Sequence, residues 1–366
     1  MFGHSQDGGF PPEARPPCPA DRRQWRCGFA ADDHPDAVKG RLFAIALVGL
    51  TLAATAPHSW QWRIPRGTAP PPVTADNPMN AAKVELGRRL FYEADLSING
   101  TMACATCHEQ KRGFADGNRT RPGVHGDPGR RNVPGLANVA WRRHLTWADT
   151  GLNQLEAQVA IPLLGDHPIE LGMKGQEAEI GRRLGRDACY RIMFARAFPE
   201  TSGRIDLPNV AAALSAFQRT LTSLDSSYDR FLAGGMSALS PAARRSLQLF
   251  NAAGCRNCHQ GQDLTNDSLH TLPVSSTTDL GLFEKTGDIA DKGRFRTPSL
   301  RNVAVTAPYM HDGSASTMAE AIHMHRVSLT GVQMADMIAF MESLTDQKFL
   351  TDPRFALPAK ACGRNL

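Results

Sequence analysis

Two copies of the pattern C-x-x-C-H are the residues of this 366-residue chain best suited to chemistry. They consist of Cys104, Cys107 and His108 in the first copy, and of Cys255, Cys258 and His259 in the second. Two thiols at this spacing can form thioethers with the two vinyl groups of one porphyrin, and the adjacent imidazole then reaches the iron as its proximal ligand. A thioredoxin-like pair or half of a zinc site can also use one such motif. Two copies that both end in histidine favour two covalently attached c-type haems.

The segments that must position these motifs have the apolar periodicity of helices. Residues 83–91 form an amphipathic stretch that ends in Leu-Phe before the first motif, and residues 242–250 repeat this plan before the second. Residues 210–221 and 334–344 are also helical in pattern, whereas alternating strand-like runs are scarce. The sequence therefore predicts an all-α fold with two cytochrome c-like domains, each with one haem.

Composition and motifs divide the chain into five segments. They are an N-terminal extension with a signal or anchor segment at 1–56, a proline-rich linker at 57–78, a first haem domain at 79–235, a second haem domain at 236–350 and a C-terminal tail at 351–366. The formal net charge of +5 is small for this length, so we expect no nucleic-acid partner.

The segment before Ala56 has the features of an export signal. Lys39 and Arg41 precede a run of apolar or small residues at 42–56. An uncleaved membrane anchor is the alternative, although the run is shorter than the roughly 20 residues that a spanning helix prefers. We therefore expect a periplasmic protein that contacts the membrane only if this segment is retained. In an oxidising compartment Cys189 and Cys362 could form a disulfide, or both could stay free.

The ligand on the second face of each haem separates an enzyme from an electron carrier. An iron with one open face can bind peroxide, whereas an iron capped on both faces transfers electrons. Residues 316–325 predict a helix with a Ser or Thr cap. His325 lies on its apolar face, His323 on a mostly polar stripe and Met324 between them. A buried haem should meet the apolar face, so His325 is the best candidate for a sixth ligand, with His323 and Met324 as alternatives.

Residues 293–313, which include the run Pro-Tyr-Met-His-Asp-Gly, carry the most specific resemblance to a known family. The chain resembles the bacterial di-haem cytochrome c peroxidase superfamily, which includes MauG, over residues 76–350. Residues 75–79, 145–149 and 165–172 are similar to its MbnH branch. Members of that branch are associated with methanobactin-type gene clusters and oxidise a tryptophan of a partner protein to kynurenine.

The resemblance implies different roles for the two haem irons. His108 would be the proximal ligand of a five-coordinate, peroxide-reactive haem, and His259 that of a six-coordinate haem. The family's distal ligand lies fourteen residues after the histidine of its Pro-Tyr-x-His-x-Gly run, and the same count from His311 leads to His325. MauG and MbnH-type enzymes have tyrosine there and the peroxidases have methionine. A nitrogen donor such as histidine supports higher oxidation states better than methionine does.

Three further residues correspond to the pocket where the family binds peroxide. Glu170 matches the distal glutamate, which moves a proton during cleavage of the O–O bond. Gln158 and Pro162 match residues that line the same pocket. Without the resemblance, Glu170 would be interpreted as a surface acid, Gln158 as a helix-face amide and Pro162 as a helix terminator.

The resemblance also extends to residues that the family places between its two haems. Trp147 matches a tryptophan that can carry an electron hole from one porphyrin to the other. Asn132 and the carbonyl groups of Thr306 and Pro308 match an inter-haem calcium site, and oxygen ligands of this kind suit Ca²⁺. The resemblance therefore predicts calcium as a second cofactor.

The resemblance predicts an exported oxidoreductase that uses hydrogen peroxide. The oxidising equivalents would be shared by both haems in a bis-Fe(IV)-like state and then withdrawn from a tryptophan, or a similar residue, of a partner protein. One alternative is a cytochrome c peroxidase that takes electrons from a small cytochrome or copper protein. The second alternative is a non-enzymatic di-haem electron carrier, which requires that both irons be six-coordinate.

Overall fold

The computed structural model describes residues 60–272 and 278–366. The predicted signal or anchor segment lies outside the described residues. The described residues belong to one compact unit, Pro57–Leu366, which contains both C-x-x-C-H motifs. None of the helices in these residues has the length and apolar character needed to span a bilayer.

The described residues form a helix-rich fold with little sheet. Its α-helices are α1 Ala81–Phe91, α2 Cys104–Cys107, α3 Leu155–Leu164, α4 Glu177–Leu184, α5 Ala188–Ala197, α6 Leu207–Gln218, α7 Ser227–Leu232, α8 Pro241–Ala252, α9 Phe283–Thr286, α10 Met318–Met324, α11 Gly331–Glu342 and α12 Gln347–Thr351. The prediction of a helical protein is thus confirmed in its main point, and the helices expected around 83–91, 210–221, 242–250 and 334–344 are present.

The strict all-α prediction is corrected by two small antiparallel ladders. Strand β1, Leu269–Thr271, pairs with β2, Arg294–Arg296. Strand β3, Lys360–Ala361, pairs with β4, Arg364–Asn365. Segments of two or three residues are too short to show the alternation by which a strand is recognised in a sequence.

The first core is built around the crossing of α1 and α6. Phe91 on α1 packs against Phe217 on α6, with ring centroids 5.4 Å apart. Gly87 permits this close approach, because a Cβ atom at its position would lie 1.8 Å from the carbonyl oxygen of Ala213. Any larger residue at position 87 would push α1 away from α6. The crossing therefore depends on a glycine in the middle of a helix.

The second core lies between α8 and α11. Phe250 on α8 packs against Phe340 on α11, with ring centroids 5.2 Å apart. Helix α8 begins at the cap residue Ser240, whose side chain accepts a hydrogen bond from the backbone of Ala243. Each core thus contains one helix that precedes a C-x-x-C-H motif in the chain. The boundaries proposed for the two haem domains remain predictions.

The C-terminal residues return to the first core rather than the second. Phe349 and Phe355 belong to the cluster that contains Phe91 and Phe217. Cys362 forms a disulfide with Cys189 of α5, 173 positions earlier in the chain. The sequence left this pairing open, and the structure joins the two cysteines.

Candidate haem sites and the region between them

The first C-x-x-C-H motif is a single helical turn that presents His108 at its end. Helix α2 begins at Cys104 and ends at Cys107, and the backbone N–H of His108 donates to the carbonyl of Cys104 at 3.0 Å. The Nδ1 atom of His108 lies 2.7 Å from the carbonyl oxygen of Phe114. Because a carbonyl only accepts hydrogen bonds, Nδ1 must carry the proton, and Nε2 is left with a lone pair for a metal. Burial also lowers the pKa of His108, which favours the neutral ring.

The second motif repeats this arrangement in a 3₁₀ turn, Cys255–Asn257. The backbone N–H of His259 donates to the carbonyl of Cys255 at 2.9 Å, and its Nδ1 lies 3.1 Å from the carbonyl oxygen of Leu264. Burial lowers the pKa of His259 to about 4. Both histidines are therefore held neutral, with Nδ1 protonated and Nε2 available as a ligand.

A cavity of about 390 Å³ opens beside the second motif. Its walls include Cys255, Cys258 and His259 on one side and His325 on another. The imidazole centroids of His259 and His325 lie 6.4 Å apart. This separation accommodates one metal ion bound by both rings, because bonds from imidazole nitrogen to a metal are about 2 Å long. The residues present thus fit a haem iron with two histidine ligands.

Helix α10 delivers His325 to this cavity. The helix begins at Thr317, which forms the predicted cap together with Glu320. His325 follows its last residue, and Nδ1 lies 2.7 Å from the carbonyl oxygen of Ala321, so Nε2 is again the free nitrogen. Of the three candidate ligands, His325 lines the cavity, whereas His323 and Met324 are not among the described residues of its wall.

Glu170 lies in the surroundings of the first motif. Burial raises the pKa of Cys104 and Cys107, and the nearby charge of Glu170 raises both further. Burial likewise raises the pKa of Glu170 itself. Two backbone hydrogen bonds hold the segment around Glu170. The carbonyl of Glu170 accepts from the backbone N–H of Val124 at 2.8 Å, and the backbone N–H of Leu171 donates to the carbonyl of Pro162 at 2.9 Å.

Gln158 and Pro162 lie on α3, next to the Glu170 segment. They are four positions apart, so they share one face of this helix. Both side chains are half-buried. The hydrogen bond from Leu171 to Pro162 brings this part of α3 against Glu170. The structure therefore places the three residues predicted for the peroxide pocket in one region.

Trp147 and the three candidate calcium ligands all lie along the wall of the second cavity. The buried indole of Trp147 donates from Nε1 to the carbonyl oxygen of Asn132 at 2.8 Å. The Nδ2 atom of Asn132 donates to the carbonyl of Asn118 at 3.0 Å. Asn132, Thr306 and Pro308 all line the cavity. Within the described ranges, no group of three or more His, Cys, Asp or Glu side chains is arranged to bind a metal. A calcium ion would therefore depend on amide and carbonyl oxygens.

Two arginines in the wall of the same cavity could not be recognised as site residues from the sequence. Arg296 is 6% exposed, and its guanidinium carbon lies 5.8 Å from the ring centroid of Trp147. Arg142 lines the cavity as well. An arginine in a loop is usually exposed, and no periodic pattern around either residue marks it as buried. His311 is buried and stacks on Phe295 with ring centroids 3.6 Å apart.

Known proteins of the same kind are similar along most of the chain. The sequence profile of the family described as di-haem cytochrome c peroxidase matches residues 81–237. The methylamine utilization protein MauG of Methylophilus methylotrophus is 34% identical over 293 residues, which cover 75% of this chain and 85% of that protein. The cytochrome c551 peroxidase of Nitrosomonas europaea is 30% identical over 297 residues, which cover 78% of this chain and 86% of that protein.

A solved structure is similar in both fold and sequence. The crystal structure of a MauG-like protein associated with microbial copper homeostasis has a TM-score of 0.79 and is 38% identical. The match covers 82% of this chain and 100% of that chain. The chain therefore belongs to the di-haem cytochrome c peroxidase and MauG family. It is a haem-dependent oxidoreductase of the peroxidase type, which rules against the electron-carrier alternative.

Proposed function

We propose that this chain is an exported di-haem enzyme that uses hydrogen peroxide to oxidise a tryptophan, or a similar residue, of a partner protein. The observation that carries the proposal is an asymmetry between the two sites. His259 faces a second imidazole across a cavity, whereas the first motif lies in the surroundings of the half-buried carboxylate of Glu170. Each motif would hold one haem through its two cysteines and its histidine. When bound, the haems would supply the redox chemistry of a reaction with peroxide.

Under this proposal Glu170 handles the proton of peroxide. Its carboxylate accepts the proton that the bound oxygen loses and returns it to the oxygen that leaves as water. Burial raises the pKa of Glu170, which makes its carboxylate a stronger base than an exposed one. The backbone hydrogen bonds to Val124 and Pro162 keep the carboxylate near the first motif. Gln158 and Pro162 on α3 form a wall beside it.

Trp147 is the residue proposed to pass electrons between the two halves. Its indole is buried at the wall of the cavity that contains His259 and His325, and its N–H is held by the carbonyl of Asn132. We further propose that Asn132, together with the carbonyl oxygens of Thr306 and Pro308, binds Ca²⁺. An ion there would stiffen the segments that hold Trp147.

The location and the partner are also part of the proposal. The disulfide between Cys189 and Cys362 and the covalent attachment of haem suit an oxidising, periplasmic compartment. The MauG relatives and the MauG-like protein associated with copper homeostasis support a protein as the substrate. The peroxidase relatives support the alternative, in which a small cytochrome or copper protein donates the electrons.

The proposal is tested by the spin states of the two irons. Electron paramagnetic resonance of the ferric holoprotein should give one high-spin and one low-spin signal. His325→Ala should convert the low-spin signal to high spin while both haems stay attached, and His323→Ala, two positions away and outside the cavity wall, should leave the spectrum unchanged. Two low-spin signals in the unsubstituted protein would refute a peroxide-reactive site.

The reaction is tested by adding peroxide without an electron donor. A long-lived near-infrared charge-resonance band, followed by oxidation of a tryptophan in a co-expressed exported partner, supports the proposed reaction. Rapid turnover with reduced cytochrome c and no such band would instead show a cytochrome c peroxidase.

A further inference from the structure

The wall of the second cavity carries positive charge from one buried arginine, Arg296, and one half-buried arginine, Arg142. Arg142 and Arg296 both line this cavity. Arg296 donates from Nε to the carbonyl of Thr146 at 3.1 Å, and its Nη1 reaches Asp267 and the carbonyl of Thr297 only at 3.5 Å each. Within the described ranges, its Nη2 has no hydrogen-bond acceptor. A guanidinium that is 6% exposed is thus left with unused donors beside an open space.

The nearest carboxylate is already engaged elsewhere. Asp267 accepts a hydrogen bond of 2.6 Å from the backbone N–H of Arg143 through its other oxygen. Burial, followed by the positive charge of Arg142, lowers the pKa of Arg296 to about 10 although Asp267 acts in the opposite direction. Buried charges are costly unless they are paired and hydrogen-bonded. The cavity therefore has room for an anion next to these two arginines.

Arg301 lines the same wall, and its charge is paired with two carboxylates. Its guanidinium binds both oxygens of Asp229 at 2.9 Å, and its Nε binds Asp263 at 3.1 Å. Among the described residues of the cavity wall, Arg142, Arg296 and Arg301 are the arginines and no lysine occurs. Because the charge of Arg301 is already paired with two carboxylates, Arg142 and Arg296 are the arginines better placed to meet an anionic group in the cavity.

We propose that Arg142 and Arg296 bind the carboxylate side chains of the haem held by His259 and His325. This inference rests on the proposed function, which assigns a haem to this cavity. Haem is apolar apart from its iron and its propionate carboxylates, and the planar fork of arginine matches a carboxylate in two parallel hydrogen bonds. The two arginines would thereby fix the rotation of the porphyrin in the cavity. They act as positioning residues and set the electrostatic potential at the iron.

The test is the reduction potential of the low-spin haem in matched variants of the holoprotein. Arg296→Gln and Arg142→Gln each remove one cation from the cavity. Arg143→Gln is the control, because it removes the same charge from an exposed neighbour that does not line the cavity. Arg296→Lys keeps the charge but loses the fork. Spectroelectrochemical titrations at several pH values give the potential and its dependence on pH.

We expect Arg296→Gln and Arg142→Gln to lower the potential, because an unpaired carboxylate stabilises the ferric state. The carboxylate would then also take up a proton in mildly acid solution, so the potential should become dependent on pH, which an arginine-bound carboxylate resists. Arg296→Lys should fall between Arg296→Gln and the unsubstituted protein. Further ionisable residue types in the cavity wall are His270, Tyr309, His311 and Asp312. They are identical in all variants, so the comparison with Arg143→Gln isolates the effect of the arginines.

The two possible failures are distinguishable. If the variants keep two haems and the low-spin signal but match Arg143→Gln in potential and pH dependence, the inference is wrong and the haem assignment stands. If the unsubstituted protein has no low-spin haem, the proposed function itself fails. Should Arg296→Gln not fold into holoprotein, Arg142→Gln decides the question alone.

Discussion

Arg301→Met should be among the most destabilising single substitutions in the second half of the chain. The side chain of Arg301 is 2% exposed and forms a two-bond contact with Asp229 on α7. It also binds Asp263 and the carbonyl of Gln262, both in the loop that follows the second haem motif. Methionine fills a similar volume but leaves two carboxylates without their cation.

The size of the loss follows from this uncompensated charge. Removing one partner of a buried ion pair costs about 3–5 kcal/mol, because the other charge stays buried. Burial alone would raise the pKa of Asp229, but the bonds from Arg301 outweigh it and hold the pKa below its ordinary value. A carboxylate with a lowered folded-state pKa stabilises the fold above its unfolded pKa, and this contribution is lost as the pH falls through the folded value. The stability lost in Arg301→Met should therefore be largest at neutral pH and smaller in acid.

Urea unfolding of the holoprotein, followed by far-ultraviolet circular dichroism, measures this loss. Arg245→Met is the control, since Arg245 makes the same two-bond contact with Asp336 but its side chain is 60% exposed. It should lose far less stability. Adding Asp229→Asn to Arg301→Met should recover part of the loss, because one of the stranded charges is then gone. A loss below about 1 kcal/mol for Arg301→Met, or an equal loss for Arg245→Met, would refute the reasoning.

Two further predictions concern the first half of the chain. Glu170→Gln should slow the reaction with peroxide by about 10²–10⁴-fold. In the unsubstituted protein the rate should rise with pH through a pKa that burial has raised above the ordinary value of glutamate, and stopped-flow kinetics should show this rise missing in the variant. Cys189→Ser should cost about 2–5 kcal/mol in non-reducing unfolding experiments, because the disulfide closes a long loop, with a separation of 173 positions. Treatment of the unsubstituted protein with a reductant should reproduce the change, and an unchanged stability in both cases would contradict it.

Local patterns were sufficient to predict the helices. Residues 83–91 and 242–250 repeat apolar positions at helical spacing, and both lie within helices that lead to a motif. The choice of His325 came from the apolar face of its helix, and Met318, Ala321 and Ile322 line the same cavity as His325. Periodicity predicts α1 and α8 well because each of these helices buries one face against a core, whereas the role of His325 as a ligand stays a prediction.

Contacts between distant segments could not be predicted in this way. The burial of Arg296 depends on Trp147 and Asp267, which lie far away in the chain and follow no spacing rule. The pairing of β1 with β2 joins two three-residue segments that carry no strand pattern of their own. The prediction that Asn132, Thr306 and Pro308 lie together depended on the family resemblance, because amide and carbonyl oxygens have no recognisable signature in a sequence.

The return of the C-terminal residues to the first core has a consequence for the order of assembly. A chain leaves the ribosome from its N-terminus, and domains made first usually fold first. Here Phe349 and Phe355 complete the core that surrounds the first motif, and Cys362 closes it covalently. The half of the molecule that is synthesised first is therefore the half that is finished last. The thiols of Cys104 and Cys107 emerge well before the residues that close the core around them.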